Sequence, residues 1–399
     1  MTLTILLDLD DTLLSNQVDT FLPAYLDLFS KHVSHLIEPD LFIKALLFGT
    51  QKMVENQRPD VTLRQVFEIE FFSMVDVDRN TFEKEAVDFY KNIFPVLRSL
   101  TKPIPDAVAF VNEALELGYS LAITTNPLFP LTAILQRLEW AGLPADKYKF
   151  DLIASYETFH FSKPNPAYFA ETLGSLGWPT GPVVVVGDDY ERDIVAGHQM
   201  GLSTFYINER DSLSPGDWSA ADHVGDISDL HTWVEKRSDE YMTPEYESIP
   251  SLLGTLRSTP AVMDSLFGCL TSDRRVERPV PDEWSPTEIV CHLRDVEREV
   301  NLPRIESVME ELNPFLSAED TDQWAEERQY ICQDGWQAFQ DFTASRMSLL
   351  DQLSLVTEGE WYRPARHSIF GRTHLKEMVS IIAGHDRLHI QQMHRDIFS

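Results

Sequence analysis

Four aspartates and one lysine, in segments that follow apolar runs, could together hold a hard cation and open a phosphate ester. Asp8 and Asp10 follow TLTILL, Lys163 sits in SKPNP, and Asp188 and Asp193 lie in GDDYERD after PVVVV. A cation such as Mg2+ takes a few carboxylates together with water and phosphate oxygens. Asp8 and Asp188 can supply those carboxylates. The metal would screen Asp8 from a phosphate dianion that otherwise repels it. Asp8 could then attack phosphorus and form an aspartyl-phosphate. Asp10, two residues on, can protonate the leaving oxygen and later deprotonate a water. Thr125 and Asn126, at the end of YSLAITTN, can hydrogen-bond phosphate oxygens, and Lys163 adds a positive charge to the same oxygens. Asp193 is placed either to hold Lys163 or to support the metal.

A second constellation lies near the end of the chain. His385 and His389 stand at i and i+4 in AGHDRLHIQQ and so share a helix face. His292 follows Ser285-Pro286-Thr287-Glu288, a capping box with proline at the first helical position. Three imidazoles from two facing helices can make one face of a metal site, with water at the open position. Cys291 adjoins His292, but neighbours on a helix point about 100° apart, so it is read as packing. His367, His374 and His394 are read as solvated or structural.

These groups need elements to position them. Residues 2–7, 119–127, 150–155, 182–189 and 203–207 read as strands separated by helical segments. That alternation predicts a parallel α/β sheet with right-handed crossovers, whose carboxyl ends carry the ligands. Residues 17–96 interrupt it with helical periodicity, as in FLPAYLDLF and VFEIEFFSMV, and form a helical insertion after the first strand. Residues 236–247 are polar and patternless, a linker. Helical patterns near 248–270, 285–311, 333–356 and 373–396 follow without a strand signal, which predicts an all-α four-helix bundle. The expected organisation is therefore 1–235, a linker at 236–247, and 248–399.

The first part resembles the haloacid dehalogenase superfamily of phosphohydrolases. ILLDLDDT matches its first motif, with Asp8, Asp10 and Thr12; LAITTN its second, ending at Thr125; SKPNPAYF its third, with Lys163; and GDDYERD its fourth, with Asp188 and Asp193. Four motifs in order, each at a strand end, make the likeness specific over about residues 1–235. It implies a Rossmann-like sheet with a helical cap at about 17–96. It also implies a Mg2+-dependent phosphatase acting on a small phosphorylated metabolite, with Asp8, Asp10, Asp188 and Asp193 around the metal. Dehalogenases lack the acid at the position of Asp10, so phosphoryl transfer is favoured, with phosphomutase or another phosphotransferase as the alternative. The cap would close over the site and set substrate choice. Its aromatics Phe42, Phe48, Phe67, Phe71 and Phe72 are read as core rather than pocket.

The second part, through WSPTEIVCHLRDVE and HDRLHIQQ, resembles the DinB/YfiT-like helical bundle family over about 245–399. The resemblance implies a metal triad of His292, His385 and His389 for a transition metal such as Zn2+ or Ni2+. Some relatives are thiol-dependent transferases or hydrolases. A bundle that senses a metal or ligand and regulates the phosphatase is one alternative. A purely structural partner, such as a dimerisation surface, is another.

Bulk properties narrow the classes. Among 399 residues, 64 are acidic and 33 basic, a net charge of -31. Such a surface repels a nucleic-acid backbone, while a bound metal can still reverse the sign locally for small anions. The three cysteines are odd in number and widely spaced, which argues against a disulfide framework and for a reducing compartment. The start MTLTILLDLDDT lacks a basic region, and no run approaches the roughly 18 apolar residues of a membrane span. A cytoplasmic location is expected by default.

Overall fold

The computed structural model describes residues 2–16, 18–208, 218–237, 239–281 and 283–398. Two compact units result: Met1–Gln57, Val61–Thr172 and Pro179–Glu245 in one, and Arg58–Asp60, Leu173–Trp178 and Tyr246–Ser399 in the other.

The first unit is built on strands β1 (Thr4–Leu7), β2 (Ser120–Ile123), β3 (Leu152–Ile153), β4 (Val183–Gly187), β5 (Ser203–Ile207) and β6 (His223–Gly225). They form one sheet in the order β3-β2-β1-β4-β5-β6, every pairing parallel. TILL in β1 and VVVVG in β4 are buried along their whole length, because a central parallel strand has both faces covered. The register pairs Leu7 with both Ile123 and Val186. Asp8, Thr124 and Gly187 are therefore brought level at one edge, where chain order reverses on either side of β1. β6 is the strand that periodicity does not reveal. Its three residues, HVG, are too short to carry a pattern.

The insertion is helical, with α1 (Val18–His32), α2 (Pro39–Val54), α3 (Leu63–Met74) and α4 (Arg79–Asp88) followed by the turns Phe89–Ile93 and Phe94–Leu100. An antiparallel pair, Leu14–Asn16 with Thr101–Pro103, closes its neck, so the insertion runs a few residues past 96. Thr62 and Gln65 form a reciprocal capping box at the start of α3. Gly49 lets α2 meet α3 closely, since a Cβ there would stand 2.8 Å from the Phe67 ring. Phe42 and Phe71 are buried in the cap core, as read.

The second unit has four long helices. They are Ile249–Gly268, then Pro286–Val296 continuing through Glu297–Asn301 and Leu302–Glu310, then Gly335–Ser354 and Leu375–Phe398. The capping box forms: Ser285 N donates to Glu288 Oε2 at 2.8 Å, and Glu288 N to Ser285 Oγ at 3.3 Å. The absence of strands after 247 is corrected. Phe315–Leu316, Pro364–His367 and Gly371–His374 form a small three-stranded sheet. PARH and GRTH alternate small, polar and charged residues and lack the β-branched apolar run that marks a strand in sequence. Among the described residues no helix is long and apolar enough to cross a membrane.

Candidate active site and metal centre

Lys163 is the hub of the first site. Its ammonium is buried and donates to Asp8 Oδ1 at 2.7 Å and to Asp193 Oδ1. Burial disfavours that charge, but Asp193 and Asp8 outweigh the burial and raise the lysine above its ordinary range. The Lys163 backbone N–H donates to Asn126 Oδ1 at 3.2 Å, and Tyr168 donates to the Thr125 carbonyl at 2.9 Å. The second and third motif loops are thus locked together. Asp193 also accepts from Asp189 N at 3.1 Å. Gly187 makes this approach possible, because a Cβ there would collide with the Asp193 carboxylate. Asp193 holds Lys163, and one of its oxygens also lies within reach of the Asp8 and Asp188 carboxylates.

Asp8, Asp188 and Asp193 each turn one oxygen into a common volume, all within 4.8 Å of one another. Asp188 is pushed up to about 8, first by burial and then by Asp8, Asp193 and Asp11. That excess of clustered negative charge, on oxygen donors alone, fits a hard dication.

Asp10 stands apart from this cluster. Its Oδ1 accepts from Asn16 Nδ2 at 2.9 Å and is ion-paired with the Arg137 guanidinium. A metal-ligating role for the Asp10 side chain does not match this placement. The helix Leu131–Trp140 presents Arg137 on the face that also buries Ile134 and Leu138. Burial lowers Arg137 to about 10, which still leaves it charged at neutral pH. The sequence reading missed Arg137 and Asn16. The visible signal was an arginine on the apolar stripe of TAILQRLEW.

In the second unit, His292 Nε2 lies 3.1 Å from His385 Nε2, and His389 Nε2 lies 3.2 Å from the same atom. Burial depresses all three, to about 2 for His292, 4 for His385 and 3 for His389. The neighbouring imidazoles add to the effect at His292 and His389, and Arg346 adds to it at His385. The rings are therefore neutral at pH 7, the form that ligates a metal. Trp284 stacks on His389 with ring centroids 5.8 Å apart. Gln392 Oε1 lies 3.3 Å from His389 Nδ1 and orients that ring. Cys291 Sγ faces the Tyr330 carbonyl and Gln333 instead of the triad. His367 Nδ1 accepts from Ile369 N, His374 Nδ1 accepts from Glu377 N, and His394 packs on Phe398.

Around the triad lies a buried network that the sequence reading did not identify. Arg346 donates to Glu297 Oε1 at 2.5 Å and Oε2 at 3.1 Å, to both oxygens of Asp386, and to the Leu256 carbonyl at 3.1 Å. Thr259 donates to Asp386 at 2.8 Å. All four bundle helices meet at this one guanidinium.

Two family models match separate stretches of the chain. The chain matches the haloacid dehalogenase-like hydrolase family model over residues 2–201 and belongs to that family. Residues 255–393 match the DinB superfamily model. A ribulose-1,5-bisphosphate 5-phosphatase of Halopiger xanaduensis is 33% identical over 138 residues, covering 32% of this chain and 56% of that protein. A phosphoglycolate phosphatase of Aquifex aeolicus is 34% identical over 131 residues, covering 32% of this chain and 57% of that protein. The chain spans about half the length of these curated relatives. YfiT from Bacillus subtilis, a four-helix bundle, is 17% identical, covers 39% of this chain and 88% of its own, and has a TM-score of 0.35.

Proposed function

We propose that the first unit is a Mg2+-dependent phosphatase of small phosphomonoesters, acting through Asp8. The observation that carries this reading is Lys163 bridging Asp8 and Asp193 beside the Asp188 carboxylate. Mg2+, held by Asp8 and Asp188, would neutralise charge on the transferring phosphoryl group. An Asp8 oxygen forms a bond to phosphorus as the ester P–O bond breaks, and the electron pair leaves on the alcohol oxygen. Asp10 gives that oxygen its proton. Asp10 then takes a proton from water as the water oxygen attacks phosphorus and the bond to Asp8 breaks. The ion pair with Arg137 and the hydrogen bond from Asn16 fix where the Asp10 carboxyl stands for both steps. Lys163, Thr125 and Asn126 orient the phosphate oxygens.

Phosphate release from phenyl phosphate tests this reading in the full chain. Activity should fall by about 10³-fold after chelation and return with Mg2+. Turnover that persists undiminished in metal-free protein would refute it.

The bundle is read as a second metal centre, with Zn2+ or Ni2+ on His292, His385 and His389, within a domain near 248–399. The convergence of three neutral imidazoles on one point supports this. The full-length protein should carry transition metal after purification, and His385→Ala should lower its content to background. Equal metal content in the variant would remove the triad. A reducing cytoplasmic setting fits the three free cysteines.

A further inference from the structure

The cavity that reaches Asp10 is a hydrocarbon pocket inside the cap. It encloses about 380 Å³ and runs from Asp10, Asn126 and Arg137 into the cap helices. Its walls include the rings of Tyr25, Phe29, Phe67, Phe82, Tyr90 and Phe129. Phe67 thus lines the pocket, which corrects its reading as core alone. Polar groups on the cap side of the wall are few, while Asn126, Arg137, Tyr156 and Arg192 line the side toward Asp10. The Tyr25 and Tyr90 hydroxyls bond to each other at 2.9 Å, and Thr50 Oγ1 donates to the Leu46 carbonyl at 2.8 Å. A sugar placed among the cap helices would lose its water and find few replacement partners there, at a cost of roughly 2–7 kcal/mol per unpaired group. An apolar group would gain from burial.

The phosphate end is different. Arg137 is 2% exposed, lies near the Phe129 ring at 5.5 Å, and keeps its Nε without an acceptor. This leaves a buried donor for an oxygen of the bound ester beside the acid that would protonate the leaving group.

We propose that the pocket receives the leaving group of the substrate, and that this group is the hydrocarbon of an apolar primary alcohol. The inference rests on the phosphatase reading and names its substrate class. The alcohol released on protonation by Asp10 stays in this pocket until it departs. A cavity of this size takes a ring with a short chain.

The test compares 3-phenylpropyl phosphate with glycerol 1-phosphate on the full-length Mg2+-loaded protein. Both are esters of primary alcohols, so leaving-group chemistry is matched. The kcat/KM ratio should favour the phenylpropyl ester by about 10²-fold. Thr50→Trp, which fills the pocket from α2, should lower kcat/KM for the phenylpropyl ester by about tenfold or more and leave the glycerol ester within about twofold. Thr50→Val, which keeps the volume, should retain the preference. Equal kcat/KM for the two esters, or a preference for the glycerol ester, would overturn the proposal. If neither ester releases phosphate, the phosphatase reading fails separately. Calorimetric binding of 3-phenylpropyl phosphate that Thr50→Trp abolishes would then still support the apolar pocket, and no binding would overturn it.

Discussion

Asp8→Asn is expected to lower phosphate release by about 10³-fold or more with the fold retained. The carboxamide has the same shape but no nucleophilic oxygen anion. Lys163 keeps Asp193 as a partner, so the buried ammonium is not stranded. The variant also removes one of the charges that push Asp188 up. Its thermal midpoint should therefore equal or exceed that of the parent. Assays of phosphate release and thermal unfolding on one preparation decide the matter. Turnover within tenfold of the parent would exclude Asp8 as nucleophile.

Arg346→Met is expected to destabilise the helical unit by about 3–5 kcal/mol, because it leaves two buried carboxylates without their cation. Glu297 and Asp386 are both buried, and their other donors are Asn301 at 2.8 Å and Thr259 at 2.8 Å, each neutral. Combining Arg346→Met with Glu297→Gln and Asp386→Leu should recover much of the loss, since the stranded charges go with the cation. The midpoint of denaturant unfolding, followed by helical circular dichroism, reads both effects. A loss below about 1 kcal/mol would mean that the network is solvated in solution.

The chemistry was more legible in the sequence than the packing that supports it. Asp8 and Asp188 could be placed because each directly follows a strand, and Lys163 and Asp193 because each lies in the loop or turn after one; a parallel sheet brings such ends together. The α/β class and the helical unit followed from periodicity. Asn16 and Arg137 were not found, because which side chain meets Asp10 depends on how the neck strands and the helix Leu131–Trp140 pack. Arg346 sits in the stripe Phe339, Phe342, Arg346, Leu349, where its charge was the only sign of a buried partner. Its partners Glu297 and Asp386 are 49 and 40 residues away in sequence. Phe67 shows the same limit from the other side. Helical spacing marks an apolar face, and it does not tell a filled core from a cavity wall.

The most direct test of the central claim is to trap the phosphorylated enzyme. Full-length protein turning over phenyl phosphate with Mg2+ is quenched in acid, digested and analysed by mass spectrometry. The account predicts one phosphoryl group on the peptide that holds Asp8, absent when Asp8→Asn is treated alike. Steady turnover with that peptide unmodified, or with the label on another residue, would contradict it.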